Sequence, residues 1–264
     1  MPAIAELLAP LRAEPERAAV LCDIDGTLAP IAERPEAAAV PDAAREALRA
    51  LAGRYGMVAC VSGRRAAEAR RLVGVQGLIY VGNHGLEALW PDGDEVRLDP
   101  ATSKGEARAR EFIAGIDRAR LDAVGLRIED KGPIQALHWR GVPSPAAAEL
   151  QAKEVAALAQ ASGLAPRWGR KVLELRPMAG IDKGSAILRL MLDHRQLRRA
   201  LYGGDDRTDL DAFRALRWMV SSDRLEQAVC VGVSSEEGPA ELAELADLVI
   251  EGPSGFLAVL EALV

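Results

Sequence analysis

Residues 18–30 read AAVLCDIDGTLAP, and the fold is decided there. Five apolar residues, 18–22, form a run short enough and apolar enough to be a buried strand. It ends in two aspartates one residue apart, followed by Gly26 and Thr27. Strand side chains alternate faces, so Asp23 and Asp25 would share a side if the strand continued. Two like charges there repel unless a cation sits between them or one keeps its proton. A buried strand that delivers paired carboxylates to its end needs a reason to do so.

Outward from this stretch, short apolar runs alternate with helical patterns. VLC is followed by a helix in 41–56, with Ala44, Ala47, Leu48 and Leu51 on one face. MVACV (57–61) leads into a helix expected at 64–73, then LIYVG (78–82). KVLEL (171–175), a helix through 185–194, ALYGG (200–204), a helix through 210–218, AVCVGV (228–233), DLVI (247–250) and a last helix in 254–263 complete the pattern. Strands and helices alternating at these lengths predict an α/β fold, a doubly wound parallel sheet covered on both faces. The middle differs. From about 101 to 169 the order is helix (104–120), strand (125–130), strand (134–140), helix (145–162). Only Lys131, Gly132 and Pro133 separate the two strands, which predicts an antiparallel hairpin. The expected organisation is thus a core of 1–100 and 170–264, with an inserted α+β unit at 101–169.

Bulk composition narrows the function classes. The chain has 264 residues, 49% apolar and 27% charged, as expected of a soluble globular protein of one large or two modest domains. Its net charge of −6 is spread without a basic block, which argues against a nucleic-acid partner. Cys22, Cys60 and Cys230 each sit in an apolar run, with no disulfide or zinc spacing, and read as buried core residues. MPAIAELLAP does not read as a signal peptide, and no apolar run reaches membrane-spanning length. The expected location is the cytoplasm, with no membrane partner.

In open α/β sheets ligands bind beyond the carboxyl ends of the strands, so the residues just after each strand carry the information. These are Asp23, Asp25, Gly26 and Thr27; then Ser62, Gly63, Arg64 and Arg65; then Asn83, His84 and Gly85; then Asp205, Asp206 and Asp209 of GGDDRTD. Ser62 could simply cap a helix. Arg64 and Arg65 in a first helical turn, and Lys183 after an Asp182 cap, are cations at the wrong end of a helix dipole, reasonable if an anion binds there. Five carboxylates at one sheet edge exceed what capping needs. Hard oxygen ligands of this kind suit Mg²⁺, which takes a few carboxylates plus substrate phosphate.

These parts suffice for phosphoryl transfer. Asp23 is the expected nucleophile, dividing hydrolysis into two displacements. Asp25 is the expected acid and then base. Asp23, the Asp25 carbonyl and Asp205 would hold Mg²⁺, with Asp206 and Asp209 orienting its waters. Ser62, Gly63, Arg64, Lys183 and the amides at Gly26 and Thr27 would meet the phosphate oxygens.

The four stretches DIDGT, VSGR, the lysine of IDKG and GDDRTD stand in the order of the haloacid dehalogenase-like phosphatase superfamily, which the chain resembles along essentially its whole length. Within it, GNHGLE (82–87), IEDKG (128–132), HWR (138–140), KVLELRP (171–177) and GDDRTDLDAF (204–213) resemble the trehalose-6-phosphate phosphatase family. The resemblance implies a Rossmann-like core whose insertion is a cap that closes over the active site. It also implies that Glu129, Lys131 and Arg140 of the cap and Glu174 of the core bind sugar hydroxyls, with His84 and Gly85 near the same cleft. The functional partner it implies is a trehalose-6-phosphate synthase; 264 residues leave no room for a fused one.

Read without the family, Glu129 and Lys131 share a strand face and are better taken as a solvated ion pair worth little. Glu174, a carboxylate inside an apolar strand, needs partners. His138 reads as a packing histidine, and Trp139 and Trp168 as core or interface filling. Pro133, Gln135 and Leu210 depart from the family pattern. Two alternatives stand beside a trehalose-6-phosphate phosphatase: a phosphatase for another glycosyl phosphate, such as mannosyl-3-phosphoglycerate or sucrose phosphate, and a catalytically silent sugar-phosphate-binding subunit.

Overall fold

Apolar pentapeptides separated by amphipathic segments can bury both faces of a strand only by stacking helices on each side of a parallel sheet. The computed structural model, which describes residues 4–32, 34, 37–100, 102–178, 180–235 and 238–264, shows this arrangement. The chain divides into two compact units, residues 1–97 with 181–264, and residues 98–180.

The first unit begins with α1 (Ile4–Ala13), β1 (Ala18–Cys22), α2 (Asp42–Ala52), β2 (Met57–Val61), α3 (Ala66–Val73), β3 (Ile79–Gly82), β4 (Glu87–Leu89) and β5 (Val96–Leu98). The second contains α4 (Ser103–Ala114), α5 (Arg118–Ala123), β6 (Arg127–Asp130), β7 (Gln135–His138), α6 (Pro145–Ala161), β8 (Leu164–Gly169) and β9 (Val172–Pro177). The chain then returns to the first unit with α7 (Lys183–Asp193), β10 (Arg199–Gly204), α8 (Asp209–Ser221), β11 (Gln227–Ser234), α9 (Glu241–Leu245), β12 (Leu248–Glu251) and α10 (Gly252–Leu263).

The large sheet runs β12-β11-β10-β1-β2-β3-β4-β5. Its strands from β12 to β3 pair in parallel, and β4 turns back antiparallel on β3. β1 lies near the middle and feeds both layers. Ala18, Val20 and Cys22 join one apolar cluster with Leu48, Leu51, Val73, Phe256 and Leu260. Ala19 and Leu21 join the other, with Ile187, Leu190, Phe213 and Leu216. All three cysteines are free and buried, as expected. Among the described residues no helix is long and apolar enough to cross a membrane.

The second unit is an antiparallel sheet, β6-β7-β9-β8, with one face covered by α4 and α6 around Leu137, Trp139, Leu173 and Leu175. Three expectations are corrected. Residues 172–177, placed by the sequence reading with the core, pair with β7 and β8 in this sheet. The helix expected at 104–120 breaks after Ala114, at Gly115, into α4 and α5. The helix expected at 64–73 starts at Ala66, so Arg64 lies outside it and Arg65 is its N-cap.

Candidate active site

The chain after β1 does not continue as a strand. Asp23 still donates its backbone N–H to the Gly203 carbonyl at 2.9 Å, but the loop then closes on itself. The amides of Thr27, Leu28 and Ala29 all donate to the Ile24 carbonyl, and the Gly26 amide donates to Ala29 at 2.7 Å. Gly26 has φ +90°, and a Cβ there would lie 2.1 Å from an Asp205 carboxylate oxygen. Glycine is therefore required both by the conformation and by the close approach of Asp205. The amides of Gly26 and Thr27, assigned to phosphate by the sequence reading, are spent within the loop. Thr27, fully buried, gives its hydroxyl to Asp205 at 3.1 Å.

Asp23 and Asp25 each face a different cation of the protein itself. Lys183 Nζ lies 3.0 Å from Asp23 Oδ2. Asp25 instead meets Arg64, whose Nε and Nη2 each donate to a carboxylate oxygen at 2.6 Å. The repulsion anticipated between the two aspartates is thus relieved by two protein cations on separate elements. The anion beside Arg64 is a side chain of the chain itself.

Lys183 is aimed by the start of α7. Asp182 caps that helix, accepting from the Ser185 amide at 2.7 Å while the Ser185 hydroxyl accepts from the Asp182 amide at 2.9 Å. This capping box fixes the first turn. Lys183, 1% exposed, points inward to Asp23 and to Asp209 Oδ1 at 2.7 Å. Burial works against its charge, but the carboxylates of Asp209 and Asp23 outweigh that and hold its pKa above the ordinary lysine value.

Asp209 is the hub of the site. Its Oδ1 accepts from Lys183 and from the Tyr202 hydroxyl at 2.6 Å; its Oδ2 accepts the amides of Asp205 at 3.1 Å and Asp206 at 2.9 Å. Both oxygens are saturated by protein donors. Asp209 thus organises the lysine and the loop after β10. Asp206 lies at the rim, its Oδ1 accepting the Arg207 amide at 2.6 Å, and is outside the buried carboxylate cluster. Tyr202, on β10 and fully buried, was not found from the sequence, where ALYGG reads as plain strand.

Asp23, Asp205 and Asp209 can place one oxygen each within 4.8 Å of one another, and all three are buried. Three buried carboxylates around one lysine leave negative charge uncompensated. Burial pushes the Asp23 carboxyl well up against the pull of Lys183. Burial and the nearby Asp209 push Asp205 up to about 7. The donor set is all hard oxygen, with Asp23 and Asp205 retaining lone pairs, and it fits a divalent cation.

Ser62, 1% exposed, follows β2 and accepts the Arg64 amide on Oγ at 3.2 Å. It does not cap α3. Glu87 of β4 does that, with Oε1 taking the Ala66 amide at 2.6 Å. Asn83 and His84 adopt φ of 50° and 57°, and Gly85 φ of 111°. Consecutive non-glycine residues in the left-handed region are strained, and such strain collects at functional sites. Here the turn lets the His84 amide donate to the Ser62 carbonyl at 3.0 Å and lays the imidazole over Gly63, where a Cβ would come 2.6 Å from Nε2. Gly85 is pressed against α7, where a Cβ would meet Ala186 at 2.8 Å.

In the second unit, Lys131 Nζ contacts Glu174 Oε1 at 3.0 Å and Glu129 Oε2 contacts His138 Nε2 at 2.7 Å. The β6–β7–β9 register puts Glu129 and Glu174 in one row across Ala136, on the face opposite the apolar cluster. Arg176, which the sequence reading passed over, clamps Glu174 Oε2 through Nε at 2.9 Å and Nη2 at 2.5 Å. The alternation in LELRP puts Arg176 on the Glu174 face, a signal that was available. Arg140, assigned with them, lies past the end of β7 and is exposed. His138 pairs with Glu129 rather than packing, and this hydrogen bond holds the Glu129 pKa below the usual carboxylate value.

The fold is haloacid dehalogenase-like, an α/β core with an α+β insertion. The structure matches a solved C. albicans trehalose-6-phosphate phosphatase C-terminal domain at a TM-score of 0.79, over 98% of this chain and 96% of that one, at 23% identity. The family profile described as trehalose-phosphatase matches residues 21–245, and the chain belongs to that family. A trehalose-phosphate phosphatase of Mycobacterium marinum is 36% identical over 239 residues, covering 86% of this chain and 60% of the relative. A Mycobacterium tuberculosis protein described as an uncharacterized glycosyl hydrolase is 42% identical over 208 residues, 76% of this chain and 15% of its own length. The chain therefore spans less than two thirds of the length of these two mycobacterial relatives.

Proposed function

We propose that the chain is a Mg²⁺-dependent phosphatase that hydrolyses trehalose 6-phosphate to trehalose and phosphate through an aspartyl-phosphate on Asp23. The observation that carries this reading is a buried Asp23 held 3.0 Å from Lys183 beside Asp205, at the end of β1. An Asp23 oxygen attacks phosphorus and the bond from phosphorus to the sugar oxygen breaks. Asp25 gives its proton to that leaving oxygen. Asp25 then takes a proton from a water that attacks the same phosphorus, which releases phosphate and restores Asp23. Mg²⁺, held by Asp23 and Asp205, would offset the charge between carboxylate and phosphate. Lys183 and the Ser62 hydroxyl stabilise the transferring oxygens. Arg64, which pairs with Asp25 in the free protein, would turn to the incoming phosphate.

The first unit is read as the phosphatase core and the second as the cap that selects the sugar. Glu129, Lys131 and Glu174, already ordered by ion pairs, are the groups for sugar hydroxyls, with Arg176 and His138 holding them. The substrate would come from a trehalose-6-phosphate synthase in the cytoplasm.

A second reading has its own support. A Candida albicans trehalose synthase regulatory protein C-terminal domain shares the fold at a TM-score of 0.67 and 10% identity, so this architecture is not confined to phosphatases. The intact Asp23–Lys183–Asp209 chain favours catalysis here. Phosphate release from a panel of sugar phosphates, with Mg²⁺ and with chelator, separates the readings. Preferential, chelator-sensitive turnover of trehalose 6-phosphate is expected. Preference for mannosyl-3-phosphoglycerate or sucrose phosphate would overturn the substrate, and binding without turnover would favour the silent subunit.

A further inference from the structure

The turn between β6 and β7 is fastened from inside. Asp130 Oδ1 accepts the Gly132 amide at 2.8 Å and the Gln135 side-chain amide at 2.7 Å. The same Gln135 nitrogen reaches the Gly132 carbonyl at 3.4 Å, and the Lys131 amide donates to Ile134 at 2.9 Å. Asp130 and Gln135 are directly opposite in the β6–β7 register, and Gly132 makes the turn at φ +79°. From α4, Arg110 Nε approaches Asp130 Oδ2 at 3.4 Å.

Gln135 is 2% exposed, between apolar Ile134 and Ala136, where a strand has no need of an amide. A buried amide is retained at a cost unless its hydrogen bonds do something an apolar side chain would not. What these bonds hold is the turn that carries Lys131, whose ammonium meets Glu174 at 3.0 Å. We propose that Gln135 is a specificity-determining positioning residue, which clamps Asp130 so that the turn presents Lys131 at a fixed spacing from Glu174. This rests on the assignment of Lys131 and Glu174 to sugar hydroxyls; Gln135 itself touches no substrate. A lysine has several rotatable bonds, and a turn free to tilt would spread its ammonium over many positions, weakening recognition without touching phosphoryl transfer.

The test is steady-state kinetics of Gln135→Leu, Asp130→Ala and Asp130→Asn, on trehalose 6-phosphate or on whichever sugar phosphate the wild type hydrolyses best. Gln135→Leu and Asp130→Ala should each raise KM about fivefold or more with kcat within about twofold. Asp130→Asn, which keeps an acceptor oxygen, should stay within about twofold of wild type in both. Melting temperatures separate a structural role: lowered stability with unchanged KM in both clamp-breaking variants overturns the inference. A wild type that prefers another sugar phosphate overturns only the substrate reading, since the split between KM and kcat is still read on that compound.

Discussion

A single carboxylate, Asp209, determines how much of the site is ready before substrate arrives. Its four donors leave it no freedom, so Lys183 is held toward Asp23 by geometry rather than by attraction alone. The Tyr202 hydroxyl shares Oδ1 with Lys183, and its ring packs edge-on against Phe213 with centroids 5.9 Å apart. Tyr202→Phe keeps the ring and removes the donor. A hydrogen bond to a charged group contributes about 1.5–3 kcal/mol, so kcat should fall roughly tenfold while KM stays within about twofold. Steady-state kinetics on trehalose 6-phosphate checks this; an unchanged kcat would reduce Tyr202 to packing. At this scale the sequence was informative where the residue type was improbable for its place. Asp23, Asp25, Asp205 and Lys183 stood out as charges at strand ends or helix starts. Tyr202 did not, because an aromatic residue in an apolar strand looks like core, and only its hydroxyl's partner distinguishes it. Arg64 was seen as a misplaced cation, but the anion that accounts for it, Asp25, was itself given another task.

At the scale of elements, what sequence could not supply was the pairing of distant pieces. Nothing near Arg65 explains how α3 begins, because the carboxylate on its Ala66 amide comes from Glu87 on β4. Glu87 is 4% exposed, and burial raises its pKa above the usual value despite the Ala66 amide, which favours the charged form. A carboxyl whose folded pKa is raised contributes most at low pH and loses that contribution as pH rises through the folded value. Glu87→Gln keeps an oxygen for Ala66 and cannot ionise. Its stability relative to wild type should therefore improve between pH 4 and pH 7, read as a growing gap in denaturant midpoint in favour of the variant; a gap that shrinks over that range would contradict the assignment. The inserted unit shows the same limit. Its long last helix and the hairpin were legible from periodicity and from Lys131-Gly132-Pro133, but the break at Gly115 that divides the first helical stretch into α4 and α5 was not. Nor was the assignment of β9, because a short strand carries no mark of which sheet it joins.

For the whole molecule, alternation of strands and helices was enough to give a parallel sheet with helices on both faces, and with it the edge where ligands bind. Strand order and the antiparallel return of β4 depend on which edges meet, and local sequence does not encode that. The site follows from the topology: β1, β2 and β10 are neighbours, so the residues that follow them arrive together although they lie about 180 positions apart in the chain. Removal of divalent cation should abolish turnover while leaving the fold intact, since the core clusters on both sheet faces include none of the carboxylates assigned to the cation. Circular dichroism alongside phosphate release in chelator checks both halves of that statement. The measurement that bears most directly on the nucleophile is phosphate release from trehalose 6-phosphate by Asp23→Asn in saturating Mg²⁺, with its melting temperature compared with wild type. An amide cannot form the aspartyl-phosphate, so the expected result is a loss of about 10³-fold or more in kcat from a folded protein. A folded Asp23→Asn that retains activity within about tenfold of wild type would contradict the assignment of the nucleophile and the two-step hydrolysis built on it.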